Sequence, residues 1–155
     1  MTPAINTAKK AGILFEIHEY HHDAAAESYG LEAAEKLGVA AEKVFKTLVV
    51  TLDGKALAVG IVPVTMQLGL KQIAKAAGAK KAVMGVPAEV ERATGYVLGG
   101  VSPLGQKKRL ATYIDASAAS FDTIFVSAGR RGLEIELAPS DLATLCKANF
   151  APLAV

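Results

Sequence analysis

The sequence predicts a mixed α+β (α/β) fold, with a mostly antiparallel, barrel-like central sheet and helices at its periphery. Three observations carry this expectation. Strand-like segments rich in β-branched and aromatic residues outnumber helical ones and do not alternate with them in the regular way a doubly wound sheet requires. Asp53-Gly54, set between Leu52 and Lys55, is a strong two-residue hairpin signal, so the strands on either side should run antiparallel. The run from Val44 to Leu52 is largely apolar on both of its alternating faces, as expected of a central strand covered twice. The chain has 155 residues with no internal repeat and no break in composition, so residues 1–155 read as one domain.

Taken in order, Thr2-Pro3 supplies a capping hydroxyl and a proline for the first helix, and Gly12 stops it. Leu14 to Tyr20 alternates as a strand, with Phe15 and Ile17 on its covered side and Glu16, His18 and Tyr20 free to line a cleft. After a polar turn at His21-His22-Asp23, Ser28 to Leu37 reads as a helix closed by Gly38. The strand from Val44 to Leu52 pairs through the hairpin with Ala56 to Val62, and Pro63 ends that partner. Leu70, Ile73, Ala74 and Ala77 have the spacing of one apolar helix face, with Gly78 as its stop, and Pro87 to Arg92 opens a further short helix. Brief strands are expected at Ala82 to Met84, Tyr96 to Leu98, Leu110 to Ile114, Thr123 to Ser127 and Leu133 to Leu137. The last two are joined by an Ala128-Gly129-Arg130-Arg131-Gly132 turn. Pro139 starts a final helix with Leu142, Leu145 and Cys146 inward.

Composition narrows the functional classes. Apolar residues make up 52% and charged residues 21%, a globular balance without blocks of like charge. No apolar run reaches the ~18 residues of a membrane helix, and the N-terminus lacks the pattern of a signal peptide, so a cytoplasmic location is expected. The one cysteine, Cys146, leaves no internal disulfide to form. A net charge of +2 makes any nucleic-acid contact local rather than a field over the whole surface.

Lys46 is the first unusual residue, because alternation aims it from an apolar strand toward something buried. An ammonium there costs several kcal/mol unless it is compensated. It either snorkels from the strand's start to the surface, or it answers a partner or a visiting ligand. The second unusual stretch is Gly99-Gly100-Val101-Ser102-Pro103-Leu104-Gly105, which fits neither a phosphate-binding P-loop nor a serine-hydrolase elbow. It is either a tight turn stiffened by Pro103 or a backbone path whose N–H groups hold a carboxylate or an oxyanion. Lys107, Lys108 and Arg109 follow directly, as a solvated basic corner or as phosphate contacts of an RNA-tailed substrate. His18, His21, His22 and Asp23 are metal-ligating types without a second cluster, so no metal and no other cofactor is expected. Serine, histidine and acid nowhere combine into an obvious nucleophilic triad.

Val44-Phe45-Lys46-Thr47-Leu48-Val49 and Gly99 to Lys108 together resemble the two signature stretches of the YbaK/EbsC family. Further matches lie at Met1-Thr2-Pro3-Ala4, Gly78-Ala79-Lys80-Lys81, Thr94-Gly95-Tyr96 and Gly132 to Leu137. The resemblance implies the fold shared with the editing domain of bacterial prolyl-tRNA synthetase, and a free-standing aminoacyl-tRNA deacylase. The substrate it implies is Cys-tRNA(Pro), with Cys-tRNA(Cys) as a second one, and prolyl-tRNA synthetase is the expected partner. By that resemblance Lys46 is the essential polar residue, and Gly99, Gly100, Val101, Ser102 and Pro103 form the loop over the scissile ester. Tyr20, Tyr29, Phe45, Thr47, Ser127, Arg130 and Glu134 line the pocket, and Lys107, Lys108 and Arg109 touch tRNA. Close family members carry Phe and Asp where this chain has Tyr29 and Glu134, which bears on amino-acid selectivity. The family's reaction is substrate-assisted, with the cysteine thiol attacking its own ester to release a thiolactone, so no protein nucleophile is needed. Three alternatives remain: editing of Ala- or Ser-tRNA by water attack on the same fold, a non-catalytic module that binds tRNA ends or nucleotides, and a histidine-ligated metal protein.

Overall fold

The structure is a computed structural model and describes residues 1–26 and 28–155. Its elements are α1 (Pro3–Ala11), β1 (Phe15–Glu19), α2 (Tyr29–Leu37), β2 (Phe45–Leu52), β3 (Ala56–Pro63), α3 (Leu70–Ala77), β4 (Ala82–Met84), α4 (Pro87–Thr94), β5 (Ala111–Asp115), β6 (Ile124–Arg130), β7 (Leu133–Leu137), α5 (Pro139–Cys146) and β8 (Asn149–Ala151). The helix ends follow their local chemistry. The Thr2 and Ser28 hydroxyls accept from Ile5 N–H and Leu31 N–H to cap α1 and α2, and left-handed Gly12, Gly38 and Gly78 stop α1, α2 and α3.

The strands form two sheets, one in the order β1-β7-β6 and the other β4-β2-β3-β5-β8. The β2–β3 hairpin pairs Leu52 with Ala56 through Phe45 with Pro63, as Asp53-Gly54 predicts. The β3–β5 and β5–β8 ladders are parallel and the other ladders antiparallel. The barrel closure expected from sequence is not formed. Among the described residues, only an isolated bridge from Val44 to Phe125 pairs one sheet with the other, and short β4 and β8 end the larger one.

The main core fills the space between the sheets, with Phe45, Val49, Ile61 and Ile114 from one meeting Val126, Ile135 and Leu137 from the other. The opposite face of the larger sheet presents Val50, Ala58 and Val62 to Ile73 and Ala74 of α3. Strand β2 is therefore covered on both faces, as its sequence predicts. A third cluster packs Ala33 and Ala34 of α2 on Val44, Val64 and Phe125, which brings the start of α2 to the start of β2.

Two expectations need correction, and one strand is not expected from the sequence. Tyr96 to Leu98 is a loop rather than a strand, because Gly95 ends α4 in the left-handed region and the Tyr96 hydroxyl donates to Leu104 C=O at 2.6 Å, pinning the chain. The turn after β6 is shorter than Ala128 to Gly132, because β6 continues to Arg130 with a register shift between Ser127 and Arg130. Strand β8, which has no sequence signal, is held in place by Asp115, whose Oδ1 accepts from both Leu153 N–H and Ala154 N–H at 2.8 Å. No described helix is long and apolar enough to cross a membrane.

Candidate active site

A cavity of about 300 Å³ opens along β2, and it is lined by consecutive residues Phe45, Lys46, Thr47, Leu48 and Val49. Consecutive residues of a covered strand can line one cavity only where an edge of the strand lacks a neighbour. Strand β4 pairs with Val50 to Leu52 alone, Gly85 N–H extends that edge to Val49 C=O, and the bridge to Phe125 lies at Val44. The gap falls at Thr47. Around it stand Tyr20 and Tyr29 from the segment that leads into α2, Met84 and Gly85 from the end of β4, Leu98, Gly99 and Val101 from the glycine loop, and Ser127, Arg131 and Glu134 from the β6–β7 hairpin.

The cavity holds polar groups without partners. Lys46 takes part in no ion pair among the described residues, and desolvation pulls its pKa below the ordinary lysine value. Glu134 is 7% exposed, and burial pushes its carboxyl up to about 8, so it is largely protonated at neutral pH. Glu134 does not compensate Lys46, since the two do not come within 4.0 Å. Tyr20 is raised to about 12 by burial and then by the neighbouring Glu134 charge. The Thr47 hydroxyl is buried with no hydrogen-bond partner among the described residues. Orphaned groups of this kind cost stability and are retained where a ligand completes them.

The glycine loop is built by close approach. A Cβ on Gly99 would lie 2.5 Å from Arg131 Nε and 2.9 Å from Tyr29 Cε2, and its φ of +87° excludes other residues as well. Gly100 has its N–H committed to Val97 C=O at 3.0 Å, while its own C=O accepts from the Ser127 hydroxyl at 3.2 Å. That amide is therefore not free for an oxyanion. Ser102 is fully buried with its Oγ accepting from Leu104 N–H, and Pro103 is buried with its C=O accepting from the Cys146 thiol. Gly100, Ser102 and Pro103 thus shape the loop from outside the cavity.

The basic residues divide the same way. Lys107, Lys108 and Arg109 are exposed on the chain beyond the loop and do not line the cavity. Arg130, expected in the pocket, points outward to Glu19 at 3.6 Å, with both side chains mostly exposed. Its neighbour Arg131 takes the cavity position instead. Its guanidinium lies 3.8 Å from the centroid of the Tyr29 ring and Nη2 donates to Leu98 C=O at 3.3 Å. Sequence reasoning missed Arg131, along with Ser28, Met84, Gly85 and Leu98 at the rim. A second network supports Tyr29 from behind. Burial opposes ionisation of Glu32, yet hydrogen bonds from Asp23 N–H, His22 and Lys36 outweigh it and hold the carboxyl at about 2. His22, so fixed, meets the Tyr29 ring edge-on at 5.4 Å.

Among the described residues, no histidine or cysteine lines the cavity. Cys146 lies elsewhere, with its thiol raised to about 12 by burial, and His18, on the same face of the small sheet as Glu134, bonds Glu136 at 3.0 Å in a group with Glu16. The Ser127 hydroxyl donates to Gly100 C=O and accepts from Gly129 N–H, and among the described residues no histidine is bonded to it, although Glu134 stands opposite it in the β6–β7 ladder. The arrangement can orient a small polar substrate and stabilise negative charge that develops on it; it offers no activated nucleophile of its own.

The family model described as "Aminoacyl-tRNA editing domain" matches residues 24–145. An Enterococcus faecalis protein named "Putative Cys-tRNA(Pro)/Cys-tRNA(Cys) deacylase EbsC" is 42% identical over 120 residues, covering 77% of this chain and 73% of that protein. A Bacillus subtilis protein, "Uncharacterized protein YwhH", is 31% identical over 111 residues, covering 72% of this chain and 70% of that protein. Among solved structures, a "putative trans-editing enzyme for prolyl tRNA synthetase" shares the fold at a TM-score of 0.82 and 22% identity, covering 100% of this chain and 99% of that one. A hypothetical protein shares it at 0.88 and 22% identity, covering 99% and 100%.

Proposed function

Because the chain belongs to the aminoacyl-tRNA editing domain family, we propose that it is a trans-editing deacylase that removes cysteine from mischarged Cys-tRNA(Pro), with Cys-tRNA(Cys) as a second substrate. The observation that carries this reading is a lysine with no ion-pair partner among the described residues, in a cavity of about 300 Å³ whose described hydroxyls have no histidine to activate them. Such a cavity has room for a small aminoacyl group, and a reaction run there draws its nucleophile from the substrate or from water. Cysteine brings a thiol. The name of the 42% identical relative supports this choice of amino acid.

In the proposed reaction the cysteine sulfur attacks its own ester carbonyl. A carbon–sulfur bond forms, the bond from the carbonyl carbon to the ribose oxygen breaks, and the thiol proton ends on the ribose hydroxyl. The products are a cyclic thiolactone and free tRNA, so the cleavage is of lyase type rather than hydrolytic. Holding thiol and carbonyl in contact supplies most of the advantage, because the step is already intramolecular. Lys46 stabilises the oxyanion, Thr47 completes its orphaned hydroxyl on the substrate, and the loop at Gly99 and Val101 closes over the ester. The enzyme acts on tRNA released by prolyl-tRNA synthetase, in the cytoplasm.

Deacylation of Cys-tRNA(Pro) by the unaltered protein and by Lys46→Ala tests the reading. Removing one positioned charge-stabilising group costs about 10²-fold or more in kcat. Equal rates for the two proteins would remove Lys46 from the chemistry.

A further inference from the structure

We propose that Arg131 binds the phosphate that joins the terminal nucleotide of the RNA to the rest of its single-stranded 3′ end, an assignment that rests on the deacylase reading above. The cavity accommodates an aminoacyl group, not a nucleotide chain. With the ester held beside Lys46 and Thr47, the terminal ribose sits at the mouth and its phosphate just beyond. Arg131 stands at that mouth, exposed to solvent while still lining the cavity.

Its side chain is fixed before any ligand arrives. The guanidinium lies 3.8 Å from the centroid of the Tyr29 ring, Nη2 is tied to Leu98 C=O, and Gly99 leaves room for Nε only because it has no Cβ. Tyr29 is backed in turn by His22, which is bonded at 2.7 Å to the buried Glu32. A guanidinium held between a ring and a carbonyl presents its remaining N–H groups as a preformed fork, the geometry that receives two phosphate oxygens. No carboxylate lies within 4.0 Å of Arg131 among the described residues, whereas the adjacent Arg130 is paired with Glu19.

Charge balance points the same way. The aminoacyl group can carry an ammonium into a cavity that already holds the Lys46 side chain and the largely protonated Glu134, and a second cation at the rim, without a carboxylate partner among the described residues, would oppose its entry. The anion that offsets them is the phosphate of the RNA. Arg131 lines the cavity, whereas Lys107, Lys108 and Arg109 do not.

The test compares Cys-tRNA(Pro) with cysteinyl-adenosine, a nucleoside ester that lacks the phosphate, for the unaltered protein, Arg131→Gln and Arg131→Lys. A parallel arm measures binding of uncharged CCA trinucleotide against salt concentration. One charge-assisted contact predicts that Arg131→Gln raises KM for the charged tRNA about tenfold and for the nucleoside ester less than about threefold. It also predicts weaker trinucleotide binding with a salt slope lower by about one, and a slope kept in Arg131→Lys. Equal losses on both esters would mean that Arg131 only clamps the Leu98–Gly99 loop, and an unaltered trinucleotide affinity and slope would also overturn the assignment. If the unaltered protein cleaves neither ester, the deacylase reading fails, and the trinucleotide arm still decides the phosphate contact.

Discussion

Lys46 and Glu134 share a cavity without forming an ion pair, and each is shifted toward its neutral form by burial. An ion pair would have spent the lysine's charge inside the protein; leaving it unspent keeps it for a substrate. Glu134 carries a consequence for stability. Folding raises its pKa from 4.5 to about 8, so between those pH values the native state keeps a proton that the unfolded chain has lost. Its contribution to stability is complete below about pH 4.5, falls as pH rises toward 8, and is flat above. Glu134→Gln is neutral throughout, so thermal melts should show the variant gaining on the unaltered protein between pH 5 and 8. Parallel melting curves across that range would mean that Glu134 ionises freely.

At this scale the sequence is informative about types and weak on direction. Lys46 is legible because an ammonium interrupts an apolar strand. Arg130 and Arg131 are adjacent and chemically identical, and only the irregular pairing at Ser127 to Arg130 decides that the second one turns into the cavity. Thr47 looks like an ordinary strand residue, and its missing partner becomes visible only once the neighbouring strands are placed.

Elements whose signals are local are the ones the sequence predicts best. Capping hydroxyls at Thr2 and Ser28, stop glycines at 12, 38 and 78, and the Asp53-Gly54 turn all act through neighbours a few residues away, and each bounds its element as expected. Strand β8 has no such signal. It is three residues long, and the side chain that organises the segment after it is Asp115, far upstream. Burial opposes ionisation of Asp115, but bonds from the Ser117 hydroxyl and from the Ala154 and Leu153 amides outweigh it and hold its pKa low. Replacing it strands two amides of the C-terminal segment, one of them on the fully buried Leu153. Asp115→Ala should therefore lose about 3 kcal/mol in denaturant unfolding, as expected for buried bonds to a charged group. A loss below about 0.5 kcal/mol would mean that β8 is held by its ladder alone.

The whole molecule explains why the cavity is where it is. The small sheet contributes Ser127, Arg131 and Glu134, the large one contributes β2, and α2 with its leading segment covers the mouth with Tyr29. The mixed α+β class and the central position of β2 follow from sequence pattern; the division into two sheets and the gap beside Thr47 depend on pairings between distant segments such as Glu134 with His18, which no local signal encodes. The cavity's size and the absence of an activated nucleophile among its described residues make one measurement decisive: release of amino acid from Cys-tRNA(Pro) and from Ala-tRNA(Pro) under identical conditions. Substrate-assisted cleavage predicts that cysteine is released and that alanine, which has no thiol, stays on its tRNA. Release of alanine at a comparable rate would contradict the account and place water, not the substrate's sulfur, as the nucleophile.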